Sequence, residues 1–351
     1  MARKKDADGD DGLDGALAKF QTRWAKKGAT VLDPRDSSLK PGPVSTGIVP
    51  LDDVLGGGIP RGRTTTVYGE YSSGKTLFCQ LVIANAQREG DVCIFVDAER
   101  TFDPDWFALT GVDLDPTKLL VVRPRTLEEC FDLICDALQT VRPAVLVMDS
   151  IPALVPKDML KVEMSKQDFQ GLHARKMTEG IRKANLSNDV TALIYVNQLR
   201  VNMGVKFGNP ESLPGGKGIG FYSSVMIRVR RGRWLYDVEE NEGEEAERDA
   251  QKIGFVLRVR AEKNKVAIPW RECELEFTFN GKVDPVGALI RLAIERGVIV
   301  TGAAGYYEVV GLPNKVHGLD RLKEVLRGDD EVRATIESAI QNPLAGALFG
   351  G

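Results

Sequence analysis

The sequence lacks several features that would assign it to a membrane or to an oxidising compartment. No apolar run approaches the roughly 18 residues that a membrane-spanning helix needs. The N-terminus is polar and then acidic, which is not typical of a secretory signal peptide. The five cysteines are scattered, and Cys130 and Cys135 have no second Cys or His pair nearby to complete a zinc site. We therefore expect reduced, buried thiols in a cytoplasmic protein.

An excess of charge of either sign is also missing. The 351 residues include 47 Lys and Arg and 50 Asp and Glu, which gives a formal net charge of −3. Any binding to a polyanion must therefore rely on local basic patches rather than on a global field. The length predicts about two domains, and no internal repeat is present.

The N-terminal part, residues 1–36, is predicted to be an oligomerisation helix and a linker. Leu13, Leu17, Phe20 and Trp24 recur at near-helical spacing within Leu13–Lys27, which predicts an amphipathic helix. So short a helix is not stable alone, and it should dock either on its own chain as an ordinary cap or on a neighbouring subunit.

Residues 37–282 alternate between strand-like and helical patterns. Continuous apolar strands that alternate with helices predict an α/β fold with a mostly parallel sheet covered on both faces. The later strands follow one another without helices, so the sheet should end in an antiparallel extension. Residues 283–351 predict a small C-terminal α/β domain with a helix, a hairpin around 302–305 and a helical end, Leu319–Gln341. The predicted strands of the core are Thr64–Tyr68, Val92–Val96, Leu119–Val122, Ala144–Met148, Thr191–Val196, Ser224–Arg230, Ile253–Arg260 and Leu275–Phe279.

A phosphate-binding loop is the most specific short motif in the chain. Residues 69–76 fit G-x-x-x-x-G-K-[ST] between an apolar strand and a helical pattern, which a chance glycine-rich turn rarely does. Backbone N–H groups of such a loop and the end of the next helix face the phosphates. Lys75 should reach the β- and γ-phosphates, and Thr76 should place its hydroxyl on Mg²⁺. The loop predicts a nucleotide site formed by Gly69, Ser72, Ser73, Gly74, Lys75 and Thr76.

Three polar side chains follow the ends of core strands, where ligands bind in open α/β sheets. Asp149 fits a carboxylate that supports Mg²⁺, although a helix cap beyond a strand is the alternative. Glu99 could orient and deprotonate an attacking water. Gln198 could sense a γ-phosphate through a neutral hydrogen bond. Each of the last two could equally be an ordinary polar residue at a strand end.

Basic residues mark further candidate contacts. Lys263 and Lys265 lie on a strand-like run and could present two ammonium groups to a nucleotide across a subunit interface, or simply form a solvated strand face. Arg175 and Arg182 are two turns apart on one predicted helix. Their spacing suits the phosphates of a single strand, with ordinary surface charge as the alternative.

Two polar loops and one acidic segment interrupt the core. Residues 156–170 and 199–216 connect core elements, and loops on a rigid scaffold are where ligand contacts concentrate. Residues 237–249 are strongly acidic and lack an apolar face, which predicts a solvated loop or frayed helix, with a regulatory flap as the alternative.

The chain resembles the bacterial-type RecA recombinases over most of its length. The resemblance rests on Val96–Glu99 and Leu146–Ser150, and above all on residues 197–200 and 204–211. It continues through Gly215-Gly216-Lys217, Phe221-Tyr222 and Lys263-Asn264-Lys265. The acidic segment 237–249 departs from the family pattern as an insertion.

The resemblance implies a RecA-like P-loop ATPase core and a role for each matched residue. It implies Glu99 as the catalytic base, Gln198 as the coupling residue, Asp149 as support for Mg²⁺, and an adenine stacked on Trp106. Lys263 and Lys265 would act on the ATP of the adjacent subunit. Residues 156–170 and 199–213 would be the two DNA loops, with the DNA contacts at Arg175, Arg182, Arg200, Lys206, Gly215 and Gly216.

These observations predict a DNA-dependent ATPase that forms filaments on single-stranded DNA and promotes homologous pairing and strand exchange. The cofactors are predicted to be ATP and Mg²⁺, and the partners single-stranded DNA, double-stranded DNA and further copies of the chain. Two alternatives remain open at this point: a hexameric RecA-like DNA motor or helicase, and an accessory ATP-switched DNA-binding paralogue without strand exchange.

Overall fold

The computed structural model describes residues 13–28, 41–160, 171–201, 211–216, 218–237 and 250–341. Two compact units, residues 1–41 and 42–351, are described separately. In the first, helix α1 spans Leu13–Ala25, which agrees with the predicted amphipathic helix. The rings of Phe20 and Trp24 lie 6.0 Å apart, and both side chains are substantially exposed. The predicted domain boundaries at 36 and 282 stay a prediction.

A nine-stranded sheet dominates the described part of the second unit. Its strands run in the order β11-β10-β9-β8-β1-β5-β4-β2-β3, and two smaller sheets are formed by β6-β7 and by β12-β13-β14. The strands are β1 (Arg63–Gly69), β2 (Cys93–Asp97), β3 (Leu119–Val122), β4 (Val145–Asp149), β5 (Ala192–Gln198), β6 (Arg200–Val201), β7 (Glu211–Ser212), β8 (Val225–Tyr236), β9 (Lys252–Asn264), β10 (Glu272–Thr278), β11 (Val283–Asp284), β12 (Ile299–Thr301), β13 (Tyr306–Val309) and β14 (Val316–His317).

The sheet is parallel from β8 to β3 and antiparallel from β8 to β11, as the sequence predicted. Strands β2 and β4 are buried along their whole length, because helices cover both faces of the parallel part. The helices of this unit are α2 (Val49–Leu55), α3 (Lys75–Arg88), α4 (Pro104–Leu109), α5 (Leu127–Thr140), α6 (Lys157–Leu160), α7 (Leu172–Ser187), α8 (Gly218–Tyr222), α9 (Val286–Glu295), α10 (Leu319–Gly328) and α11 (Asp330–Gln341).

Two apolar cores lie on opposite faces of the sheet. One face packs α2 and α3 against inward side chains of β1, β2, β4, β5 and the antiparallel strands. The other face packs α5 and α7 against alternate residues of β2, β4 and β5. Local signals fix the helix starts: Thr126 caps α5 by accepting from the backbone N–H of Glu129, and Asp103 caps α4 before Pro104.

The C-terminal region has its own apolar core between α9, the small sheet β12-β14 and the last two helices. The predicted helix and hairpin are present, with β14 as a third strand. The predicted helical end differs from the structure, since Asp329 has an extended backbone that separates α10 from α11. Its side chain accepts from the N–H groups of Glu331 and Val332, which starts the second helix.

No helix among the described residues is long and apolar enough to cross a membrane.

Candidate nucleotide-binding site

The carboxyl ends of β1, β2, β4 and β5 meet at one edge of the sheet, where the sequence placed the site. Gly69 is the register partner of Gln198, and Asp97 is the register partner of Asp149. The phosphate loop therefore begins beside Gln198, while Glu99 leaves β2 beside the end of β4. The four strand ends bring all the predicted catalytic side chains of the core to this edge except Lys263 and Lys265.

The phosphate loop folds tightly between β1 and α3. Ser72 and Gly74 have positive φ angles of 53° and 92°, and a Cβ on Gly74 would lie 2.5 Å from Leu257 Cδ1, so only glycine fits there. The Ser73 hydroxyl is buried without a hydrogen-bond partner among the described residues. An unpaired buried hydroxyl in a loop that leads into the N-terminus of a helix suits a ligand rich in acceptor oxygens, such as a polyphosphate.

Lys75 is held within this loop. Its Nζ donates to the backbone carbonyl of Glu70 at 2.6 Å, and burial lowers its pKa, partly opposed by the nearby carboxylates of Asp149 and Glu99. The buried ammonium group faces an edge that carries negative side chains. It is thereby positioned to neutralise additional negative charge on a bound phosphate.

Thr76 at the start of α3 and Asp149 at the end of β4 bring a hydroxyl and a carboxylate together. The Thr76 hydroxyl donates to Asp149 Oδ2 at 2.5 Å. Burial is the main cause that raises the pKa of Asp149 to about 6; the carboxylates of Glu99 and Asp97 add to this rise, while the Thr76 hydrogen bond and Lys75 oppose it. A hydroxyl and a carboxylate beside a phosphate loop are the ligands that Mg²⁺ prefers, so these residues fit a divalent metal bound together with nucleotide phosphates.

Glu99 lies between two neutral donors. Its Oε1 accepts from the Ser150 hydroxyl and, at 2.7 Å, from Gln198 Nε2. Gln198 ends β5 and immediately precedes Leu199, whose N–H donates to the Gly69 carbonyl at 2.9 Å. The carboxylate is thus fixed by groups at the ends of β4 and β5.

Asp97 is a functional candidate that the sequence analysis missed. The buried carboxylate accepts from the N–H groups of Thr101 and Phe102 at 2.9 and 3.3 Å and from Arg123 Nε at 2.7 Å. These bonds close the turn that carries Glu99. Its position at the end of β2, directly before the Ala98-Glu99 step, was the available signal.

Trp106 lies on α4, half-buried against the core. Its ring meets that of Phe277 edge-on, with centroids 5.9 Å apart. The predicted stacking of Trp106 on adenine stays a prediction.

Lys263 and Lys265 lie away from the phosphate loop and differ from each other. Lys263 Nζ donates to the carbonyls of Gly220 and Ser223 at 2.6 and 2.7 Å, and burial together with Lys265 lowers its pKa. Lys265 is exposed and lies beyond the end of β9 at Asn264, so the two side chains do not share a regular strand face as the sequence suggested. The predicted role of the two lysines at the nucleotide of an adjacent subunit stays a prediction.

The predicted DNA contacts that fall within the described residues lie on α7, on β6 and in the turn after β7. Arg175 and Arg182 are exposed on α7, and Arg200 is exposed on β6. Gly215 and Gly216 have positive φ angles of 89° and 79°, and Gly216 approaches Ala174 of α7 closely. Lys206 lies outside the described residues, as do 161–170 of the first loop and 238–249 of the acidic segment.

Comparisons with known proteins agree with this geometry. The family model for the RecA N-terminal domain matches residues 11–284. Protein RecA of Symbiobacterium thermophilum is 37% identical over 335 residues, covering 95% of this chain and 92% of that protein. Protein RecA of Acidiphilium cryptum is 35% identical, with 94% and 92% covered, and that of Paramagnetospirillum magneticum is 35% identical, with 100% and 95% covered.

Proposed function

The chain belongs to the RecA family, and on that premise we propose that it is a DNA-dependent ATPase that assembles on single-stranded DNA and promotes homologous pairing and strand exchange. One contact carries the proposal. Gln198 bonds Glu99 at 2.7 Å and stands directly before the stem of a basic loop, so the hydrolytic carboxylate and the loop share one residue.

The chain binds a nucleotide and a divalent metal ion, and we infer that these are ATP and Mg²⁺. The triphosphate would lie on the backbone N–H groups of the loop, with Lys75 on its terminal phosphates. Thr76 and Asp149 would hold the metal ion, which supplies charge neutralisation on the phosphates. The adenine would lie against Trp106. The residues proposed to contact the nucleotide are Gly69, Ser72, Ser73, Gly74, Lys75, Thr76 and Trp106.

Hydrolysis would depend on Glu99 as the general base. A carboxylate fixed by two neutral donors can orient a water and accept its proton without reorganising. The Gln198 amide is in contact with this carboxylate, so a change at the γ-phosphate can reach the loop through one side chain. Lys263 and Lys265 would complete the site from a neighbouring subunit, in the manner of an arginine finger.

The chain binds DNA and forms oligomers as its family does. We propose single-stranded DNA at the two loops, with phosphate contacts from Arg175, Arg182, Arg200 and Lys206 and from the backbone at Gly215 and Gly216. The C-terminal region would gather duplex DNA. Helix α1 would dock on the next subunit, which gives its exposed Phe20 and Trp24 an apolar partner.

The two alternative functions are less well supported. Relatives that carry the name Protein RecA match nearly the whole chain, rather than the nucleotide core that motors and accessory paralogues would share. At the edge, the carboxylate that we propose as the base also bonds the amide that we propose as its coupling residue, and an assembly factor without turnover has no need of such a pair.

The test is ATP hydrolysis with and without single-stranded DNA, with strand exchange followed in the same reactions. We expect strong stimulation together with exchanged product. Stimulation without exchange would favour a motor or an accessory role, and no stimulation would show that the two loops do not bind DNA as proposed.

Lys75→Ala should abolish nucleotide-dependent DNA binding. Glu99→Gln should keep that binding while turnover falls by about 100-fold or more.

A further inference from the structure

Arg228 is a buried cation beside the strand that leads into the phosphate loop. It lies on β8 as the register partner of Tyr68 on β1, one residue before Gly69. Its side chain is only 10% exposed. A guanidinium group that is so deeply buried requires charged partners, and these partners show which segments of the chain it connects.

Two carboxylates face Arg228 from different segments. Both terminal nitrogens bond the Glu211 carboxylate, with Nη1 at 2.8 Å from Oε2. Nη1 also lies 3.6 Å from Glu262 Oε1 on β9, and the Tyr68 hydroxyl donates to the other Glu262 oxygen. The side chains therefore form a continuous polar chain in the order Tyr68, Glu262, Arg228 and Glu211.

The far end of this chain belongs to the stem of the second loop. Glu211 is on β7 and is the register partner of Val201 on β6, and β6 follows Gln198 closely. Residues 202–210 between the two stem strands lie outside the described residues. The stem is thus attached to the nucleotide edge twice: along the chain through Gln198 on the β6 side, and across space through Arg228 on the β7 side.

We propose that Arg228 is a positioning residue that fixes β7 to the phosphate-loop strand through Glu262 and Tyr68, so that nucleotide binding and DNA binding depend on each other. This inference rests on the proposed function, since it takes the loop between β6 and β7 to contact DNA. The planar, bidentate pairing of Arg228 with Glu211 fixes both the distance and the orientation between the two side chains. The position of β7 should therefore depend on the position of the end of β1.

The test compares DNA affinity in two nucleotide states. The affinity for a fluorescent single-stranded oligonucleotide is measured by anisotropy without nucleotide and with a non-hydrolysable ATP analogue. The dissociation constant without nucleotide, divided by that with the analogue, reports the coupling between nucleotide binding and DNA binding. In Arg228→Met we expect this ratio to fall about tenfold, within the usual range of coupling between sites, while binding of the analogue itself is kept. The ratio for Arg228→Lys should lie between those of Arg228→Met and the wild type, because an ammonium group keeps the charge but cannot make the bidentate contact.

A matched control comes from the opposite edge of the sheet. Arg61 precedes β1 and bonds Asp91 at 2.7 Å, also as a partly buried ion pair. Arg61→Met should lower the melting temperature without changing the ratio. The double variant Arg228→Met with Glu211→Gln should show the same ratio as Arg228→Met alone, because Glu211→Gln weakens a contact that Arg228→Met has already removed.

The outcomes separate this inference from the function on which it rests. An unchanged ratio in Arg228→Met and Arg228→Lys, or an equal loss in Arg61→Met, would overturn the positioning role. If Arg228→Met does not fold, Arg228→Lys and Glu211→Gln decide the matter by the same ratio. If the wild type binds DNA equally in both nucleotide states, the proposed function is contradicted, and this inference with it.

Discussion

At the scale of single residues, the nucleotide edge concentrates negative charge before any ligand binds. Asp97 and Asp149 are the last residues of β2 and β4, and Glu99 comes two residues after β2. Each carboxylate is stabilised differently: Asp97 by backbone N–H groups and Arg123, Glu99 by neutral donors, and Asp149 by one hydroxyl. The least compensated of the three is Asp149, which is the one proposed to face the metal ion.

The pKa of Asp149 makes stability depend on pH in the metal-free protein. A carboxyl whose pKa rises from 3.8 to about 6 on folding destabilises the folded state as pH rises through that interval. Asp149→Asn removes this ionisation but keeps an acceptor for Thr76. The free energy of unfolding of the variant, relative to that of the wild type, should therefore be higher at pH 7 than at pH 5 by about 1 kcal/mol. Urea unfolding in EDTA at both pH values measures it, and a gain that does not change with pH would contradict the assignment.

Asp97 provides a second prediction at this scale. Asp97→Asn keeps one acceptor for the turn but weakens the contact with Arg123, so the segment that carries Glu99 should lose its fixed position. We expect the turnover number to fall about tenfold with nucleotide affinity retained, because a small misplacement of a catalytic group is costly. Arg123→Gln, which removes only the partner, should show a smaller loss of the same kind. Normal turnover in both variants would show that the turn is held by its backbone alone.

At the scale of elements, the strands were predicted well because their signal is local. Apolar runs bounded by turn residues located β1 to β5 to within two residues, and the strand-end rule then brought Glu99, Asp149 and Gln198 to one edge. The contact between Gln198 and Glu99 joins residues 99 positions apart, so no local pattern contains it. Short elements such as α4 and the β6-β7 stem were not predicted, since two to six residues carry too little periodicity.

One local turn and one tertiary contact account for two features that the strand pattern did not predict. Lys263 and Lys265 have strand spacing, but β9 ends between them because the Asn264 side chain accepts from the N–H groups of Val266 and Ala267. The Arg228 network could not be predicted because its members are far apart in the sequence. The order of the large sheet brings Tyr68 and Glu262 to Arg228, and Glu211 reaches it from the separate β6-β7 sheet.

The packing of α5 against α7 gives a prediction for these elements. A Cβ on Gly180 of α7 would lie 2.1 Å from the ring of the buried Phe131 on α5. Gly180→Ala should therefore lower the free energy of unfolding by about 1–3 kcal/mol, despite the better helix propensity of alanine. Gly287→Ala on α9 is the control, since no atom lies within 4 Å of its Cβ position. Urea unfolding should show the control unchanged or stabilised; equal effects would mean that helix propensity rather than packing decides both.

At the scale of the whole second unit, β1 joins two halves of one sheet that serve different tasks. On one side, the parallel strands end in the residues proposed for hydrolysis. On the other, the antiparallel strands carry Arg228 and Lys263. The phosphate loop starts at the strand between them, so a ligand there is in a position to affect both halves.

The charge of the whole chain leads to the last prediction. With a net charge of −3, no long-range field favours DNA, so affinity should come from local phosphate contacts and weaken with salt. The logarithm of the association constant should fall with the logarithm of salt concentration by about 0.7 for each phosphate neutralised on a single strand. Replacing Arg175, Arg182 and Arg200 together by Gln should therefore reduce the slope by about 2. Arg61→Gln, at the opposite edge of the sheet, should leave it unchanged. A triple variant that keeps the wild-type slope would show that these arginines do not contact the DNA phosphates.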